Sequence, residues 1–172
     1  MIAMIIESPL IKIRRAVPED ITDLEAIYRD SWRHAYTGII PALHLDRMIR
    51  GRDARWWRTA MARSKDMLVV EAAGVVAGYA TFGPSRGAAA YQGEIYELYL
   101  TPVYQGIGLG ERLFEACRTA LDNRQMRGLI VWALDDNDAA TGFYWRRGGR
   151  PAGSVKEPFG RTKLSKIAFA WT

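Results

Sequence analysis

Three glycines stand between an apolar strand and an amphipathic helix. Residues 104–112 read YQGIGLGER. Before them EIYELYL (94–100) has the aromatic and branched content of a strand, and Thr101-Pro102 ends it. After them a helical pattern runs over about 108–126, with Leu109, Leu113, Ala116, Cys117 and Ala120 on one face. LIVWAL (129–134) follows, the near-continuous apolar run of a strand buried on both faces. Strand, crossover helix and buried strand make a parallel βαβ unit, which is right-handed. Such a unit commits the chain to a sheet with helices packed on its faces.

The rest of the chain extends that plan. Ile11 and Ile13 alternate with Lys12 and Arg14 as a short first strand. Pro18 opens a helix, with acids behind it that suit the positive helix end. On that helix Ile21, Leu24, Ile27, Tyr28 and Trp32 recur at helical spacing. YTGIIP (36–41) breaks it, and a second helical region over about 42–63 carries Trp56 and Trp57. MLVVEAA and GVVAGYATFG are two strands turning at Gly74, and PSRGAAAYQG is a loop. DDNDAATGFYWRRGG is a short helix with Asp and Asn cap candidates and a glycine stop, and SKIAFAW is a last strand. The order β-α-α-β-β-β-α-β-α-β predicts an α/β (α+β) fold: one central mixed, twisted sheet of about six to seven strands, helices on both faces.

A chain of 172 residues suits a single domain, 1–172, with residues 1–9 as an N-terminal extension. That start is apolar but short, is interrupted by Glu7 and lacks a basic beginning, so it does not read as a signal peptide. No stretch is long and apolar enough to span a membrane. The single cysteine, Cys117, precludes an internal disulfide and points to the cytoplasm. Cys117 falls on the apolar face of its helix and reads as a buried structural residue. The net charge of +5 comes from scattered basic residues, which favours a local anion site over a nucleic-acid surface. His34 and His44 lack metal-ligand spacing, and no metal site is expected.

Glycine-rich turns of this kind often hold phosphate. A nucleotide-splitting P-loop needs a lysine and a hydroxyl after its last glycine, and Glu111 and Arg112 stand there instead. A dinucleotide fingerprint needs a glycine three residues after Gly108, where Glu111 stands. What remains is Gln105-x-x-Gly108-x-Gly110, strand before and helix after. Glycines permit the turn and clear side chains from an approaching anion, and the N–H groups of a helix start attract it. A plain strand-to-helix turn accounts for the glycines equally well on this segment alone.

The flanks weigh on that choice. Together Gln105, Gly108 and Gly110, the upstream GEIYELYLTPVY, the downstream LIVWALDDNDAATGFYWRRGG and the N-terminal segment from Ile11 resemble, in order, the GNAT superfamily, the GCN5-related N-acetyltransferases. The resemblance covers nearly the whole chain. It implies a GNAT fold with a cofactor cleft between the fourth and fifth strands, and acetyl-CoA in that cleft. The pyrophosphate would rest on Gln105, Gly106, Ile107, Gly108, Leu109, Gly110 and Glu111, with Arg112 also opening the helix. The pantetheine arm would pair with the backbone of Leu98, Tyr99 and Leu100, as an added strand does. Asn137 resembles the asparagine that contacts this arm, and reads equally as a helix N-cap.

The reaction implied is direct transfer of acetyl to a neutral amine, with a backbone N–H near Leu98 or Leu100 stabilising the oxyanion. Tyr144 occupies the tyrosine of the family's F-Y pair and is the implied proton donor to the departing sulfur. Glu94 matches the position of a glutamate base in several members, and Glu97 is the alternative. Three apart on a strand, the two are expected on opposite faces. The residues expected to shape the acceptor pocket are Trp32, His34 and Tyr36 from one segment and Arg86 and Tyr91 from another. They leave open a small amine, an amino-acid-like compound, an antibiotic or a peptide, with a small molecule favoured. One of Trp56 and Trp57 is expected to be exposed, at an acceptor site or at the contact of a homodimer. A CoA-binding regulatory module without turnover is the alternative function. Two departures stand out: Ile107 where the family often has a cation, and Gly149 where it commonly has an aromatic.

Overall fold

The computed structural model describes residues 10–87 and 90–172, so the N-terminal extension lies outside the described residues. Strands β1 (Ile11–Arg15), β2 (Met67–Ala72), β3 (Val75–Pro84), β4 (Gly93–Leu100), β5 (Leu129–Leu134), β6 (Arg150–Phe159) and β7 (Thr162–Trp171) form one sheet in the order β1-β2-β3-β4-β5-β7-β6. Only β4 and β5 run parallel; every other neighbour is antiparallel. Helices α1 (Ile21–Tyr36), α2 (Ala42–Gly51) and α3 (Ala54–Arg63) cover one face, and α4 (Leu109–Asp122) and α5 (Asp138–Arg146) the other. The mixed sheet between helical layers is the architecture that the sequence predicts.

Strand alternation divides the core in two. Val69 joins Leu24, Ile27, Tyr28, Trp57 and Tyr79 beneath α1 and α3. Its neighbour Val70 joins Leu109, Leu113, Phe114, Cys117 and Ile95 beneath α4. Trp57 is fully buried while Trp56 is 38% exposed.

Two elements differ from the sequence reading. The helical region expected over 42–63 is two helices, because Asp53 takes extended backbone and its carboxylate accepts the Trp56 N–H at 2.9 Å. That is an N-cap, and it starts a new helix. β6 is a strand that hydrophobic patterning does not reveal. It lies at the sheet edge, is exposed along most of its length, and carries Pro151, Gly153 and Pro158. Proline is tolerated there because an edge strand pairs on one side only.

The turn into β6 explains Gly149. A Cβ on this residue would meet the Trp171 ring at 2.6 Å and the Tyr144 carbonyl at 3.0 Å. The aromatic that the sequence lacks at this point is supplied from β7. The Trp171 indole fills the space and donates to the Arg147 carbonyl at 2.8 Å.

β4 carries the irregularity that matters most for function. Thr81 pairs with Glu97 and Phe82 with Ile95, so Tyr96 is an extra residue without a partner. A one-residue bulge resets the alternation. Ile95, Leu98 and Leu100 therefore pack toward α4, while Tyr96, Glu97 and Tyr99 line one cavity on the α1 side. Glu94, the residue before Ile95, lies on that α1 side too. The expectation that Glu94 and Glu97 point to opposite faces is corrected: it assumed unbroken alternation, and the bulge brings both carboxylates to one face.

Candidate active site

β4 and β5 pair only through Gly93–Leu129, Glu94–Ile130 and Ile95–Val131, and then part. Beyond that point the two strands leave a wedge between them in the middle of the sheet. Thr101 donates its N–H to Ala77 on β3 at 2.9 Å. Because strand N–H groups alternate sides, Leu100 and Leu98 direct theirs the other way, into the wedge. The Leu100 carbonyl points there as well and accepts from the Gln105 side chain at 3.2 Å. A wedge with unpaired backbone donors suits an extended, amide-bearing ligand.

The glycine turn closes one end of the wedge. Gly106 and Gly108 have φ of 80° and 87°, and a Cβ on either would meet nothing within 4 Å. These two glycines answer to backbone conformation, and the space before them is open. Gly110 is different: a Cβ there would sit 3.3 Å from both the Leu100 and Phe143 side chains. Gly108 is the left-handed N-cap of α4, and the first helical bond runs from Arg112 N–H to the Gly108 carbonyl. The N–H groups of Leu109, Gly110 and Glu111 are thus unclaimed by the helix and face its positive end outward. Arg112 lines the open recess at this turn with Ile107, Gly108 and Glu111, and so brings a cation where Ile107 offers none. Arg147 pairs with Glu111 at 3.2 Å and lies over the Phe143 ring.

On the α1 side the wedge opens beside a cavity of about 410 Å³. Its aromatic wall includes Trp32, Tyr36, Trp56, Tyr96, Tyr99 and Trp132. Trp32 and Tyr36 arrive together because they are four apart on α1. His34, between them, is exposed and does not line the cavity. Tyr91 packs beside Gly128 at the start of β5 instead of lining the cavity. Arg86 does line it.

The cavity also holds residues that the sequence reading passed over. Arg52 pairs with Glu97 at 2.7 Å and sits over the rings of Trp56 and Tyr28 at 3.7 and 4.5 Å. Glu97 further accepts from the Thr81 hydroxyl at 3.3 Å. Arg52 was hidden in sequence by its place between two helices, among other arginines. Glu94 is only 3% exposed, and Arg86 holds both of its oxygens: the Arg86 backbone N–H reaches Oε2 at 2.8 Å and the guanidinium reaches Oε1 at 2.9 Å.

Tyr36 and Tyr99 meet beside the cavity, and Tyr144, in the core beneath α4, lies within electrostatic reach of Tyr36. The Tyr36 and Tyr99 hydroxyls lie 3.0 Å apart. Burial pushes the Tyr36 hydroxyl up, and hydrogen bonding by Tyr99 and Asn137 opposes that rise. Tyr144 is buried among Phe114, Phe169 and Trp171, and burial raises its hydroxyl above the usual phenol range, with Tyr36 and Cys117 adding to the rise. A phenol shifted that way stays protonated at neutral pH and is a proton donor, not a base. Phe143, its neighbour, turns instead toward Gly110 and Arg147, as the 100° helical step requires. Asn137 caps α5, its side chain accepting the Ala140 N–H at 3.2 Å. Cys117 is fully buried, and burial pushes its thiol up to about 12. Among the described residues no group of His, Cys, Asp and Glu is arranged to hold a metal ion, and no helix is long and apolar enough to cross a membrane.

Comparison with known proteins bears on the family and the fold. Residues 22–149 match the model of the acetyltransferase (GNAT) family. A Bacillus subtilis protein named as an uncharacterised N-acetyltransferase is 26% identical over 94% of this chain and 93% of its own. A Pseudomonas aeruginosa L-methionine sulfoximine/L-methionine sulfone acetyltransferase is 31% identical over 87% of each chain. The fold matches that of the PaiA N-acetyltransferase of Thermoplasma acidophilum, solved in complex with coenzyme A, with a TM-score of 0.72, 19% identity and coverage of 91% and 97%. On the strength of the family match, the chain belongs to the GNAT family: it is an acetyltransferase, and acetyl-CoA is its acetyl donor.

Proposed function

We propose that the protein transfers acetyl directly to the primary amine of a small molecule, with Glu94 as base and Tyr144 as acid. The observation that carries this reading is the parting of β4 from β5 between a glycine-turn helix start and a cavity lined by Glu97 and by Arg86, the partner of Glu94. The free N–H groups at the start of α4, with Arg112, suit a pyrophosphate. The inward N–H groups of Leu98 and Leu100 suit the pantetheine amides and the acyl oxygen on which charge develops. Bound there, acetyl-CoA supplies a thioester-activated acetyl group, whose C–S bond gives way to a C–N bond and leaves a thiol.

The chain's own groups move the protons. Glu94 takes one from the acceptor's ammonium, which exposes the nitrogen lone pair. Tyr144 gives one to the sulfur side and is restored by the second proton that the nitrogen sheds. Glu97, fixed by Arg52 and Thr81, is a negative wall beside the amine. Asn137 holds the start of α5, and with it Tyr144, against the wedge.

A cavity of about 410 Å³ fits a small molecule. The Pseudomonas relative is named for acetylating amino-acid derivatives, which favours an acceptor of similar size here. Trp56 lines this cavity, which speaks for its acceptor-side role over a dimer contact. A lone buried cysteine fits a reducing compartment, and we place the protein in the cytoplasm. The test is calorimetric binding of acetyl-CoA followed by thiol release across a panel of amines and peptides. Binding with turnover of small amines is expected, and Glu94→Gln lowers kcat by about 100-fold. Binding without turnover of any amine favours a regulatory module; no binding removes the reading altogether.

A further inference from the structure

The proposed base is not free. Glu94 is 3% exposed, and the guanidinium of Arg86 covers its Oε1 at 2.9 Å. In this arrangement the guanidinium occupies Oε1, an atom that a base would have to present to the acceptor. The cover, however, is loosely held. The Arg86 side chain is 64% exposed, and its guanidinium lies over the face of Tyr96 at 4.1 Å. The solvated guanidinium is free to leave at little cost to itself, but the buried carboxylate it leaves needs a replacement cation. Arg52 is the contrast: it is stacked by three rings, 19% exposed and bound to Glu97, and so is fixed.

The charges around the cavity say what would move Arg86. Each is paired with its opposite: Arg52 with Glu97, Arg86 with Glu94, Asp66 with Arg124, Glu157 with Lys166. Walls balanced in this way favour neither a polycation nor a polyanion. They match a zwitterion, which replaces a pair by two pairs. Its anionic group takes Arg86, and its ammonium faces the carboxylate left behind.

We infer that Arg86 is an acceptor-operated cap: the anionic group of a small zwitterionic amine draws the guanidinium off Glu94 and uncovers the base. The inference rests on the acetyl-transfer reading above and adds the acceptor's class, an α-amino-acid-like compound. The backbone N–H of Arg86 keeps its hold on Oε2, so Glu94 stays in place. Oε1 is the atom released, and it is the one that takes the ammonium proton. An amine without the anionic group leaves the cap closed.

The probes are the proteinogenic L-α-amino acids and their α-carboxamides, at saturating acetyl-CoA, with thiol release as the readout. The acids are expected to exceed their amides in kcat/KM by about 30-fold, the size of one charge-assisted hydrogen bond. Arg86→Met removes both the hook and the cap. It therefore raises KM for the acid and raises kcat for the amide, and the preference falls to about threefold or less. Arg86→Lys keeps a cation and keeps the preference. Equal use of acids and amides by the wild type overturns the inference. So does an Arg86→Met enzyme that slows on both probes with the ratio unchanged. If acetyl-CoA binds and other amines are acetylated while the acids are not, the cap is wrong and the acetyl-transfer reading stands. If acetyl-CoA does not bind, that reading itself falls.

Discussion

Gly108 and Gly110 are alike in sequence and different in physics. Gly108 needs its left-handed backbone, with open space where a side chain would project. Gly110 needs the absence of a side chain, because Leu100 and Phe143 close on it. Gly108→Ala is expected to cost about 1 kcal/mol of stability from the strained φ. It weakens CoA binding more than tenfold by shifting the helix start, which urea unfolding and calorimetry measure separately. Tyr144 offers a cleaner separation. Its ring fills a core among Phe114, Phe169 and Trp171, and Tyr144→Phe keeps that ring. The substitution is expected to lower kcat by about 100-fold while the melting temperature and the CoA Kd hold. Because burial raises the hydroxyl, no tyrosine ionisation should limit the rate between pH 6 and about 9.5; a fall in kcat within that window would contradict the assignment.

Elements owe their boundaries here to single residues. Asp53 divides what patterning reads as one helical region, and the break delivers Arg52 to the cavity between α2 and α3. Asp53→Ala removes the cap on the Trp56 N–H and is expected to cost about 1 kcal/mol in urea unfolding. It also loosens Trp56 from Arg52, so KM for the acceptor rises while the CoA Kd does not change. The bulge at Tyr96 works on a larger scale. It turns β4 away from β5 and gathers Glu94, Tyr96, Glu97 and Tyr99 on the side of α1. Sequence alternation cannot announce such a bulge, since both 95-96 and 96-97 pair residues that suit a strand. β6 escapes notice for the opposite reason: exposed on an edge, it has no apolar stripe to read.

For the whole molecule, the sheet holds two cores apart and pins them at its ends. Asp20 is one such pin. Burial alone would raise its carboxyl, but hydrogen bonds from Arg14 and the Val17 N–H outweigh that and hold it below the ordinary value. Asp66 is lowered chiefly by its hydrogen bonds from Arg124, which tie the start of β2 to the end of α4. A carboxyl lowered in the folded state adds stability above its unfolded pKa of about 3.9, and that stability disappears as pH falls through the folded value. The urea midpoint should therefore be flat near pH 7 and drop steeply below pH 4. Asp20→Asn should lower it at pH 7 and flatten the acid limb. A variant that unfolds with the same pH dependence as the wild type would rule Asp20 out as a contributor.

The sequence by itself determined the order of strands and helices around the glycine turn and, through its resemblance to the GNAT family, the expectation of a cleft there and of Tyr144 as the tyrosine of the short helix. These are local matters: a strand, a turn and a helix are written in residues a few places apart, and so is the likeness to the GNAT family. Only the tertiary structure decided which side chains face one another. The pairing of Arg86 with Glu94 spans a loop, and that of Arg52 with Glu97 joins a helix end to a strand 45 residues on. Trp171 fills the place above Gly149 from the far end of the chain. Contacts of that kind follow from where the sheet bends and which edges it leaves open. One extra residue in β4 changes which face Glu97 takes, though no periodicity marks it.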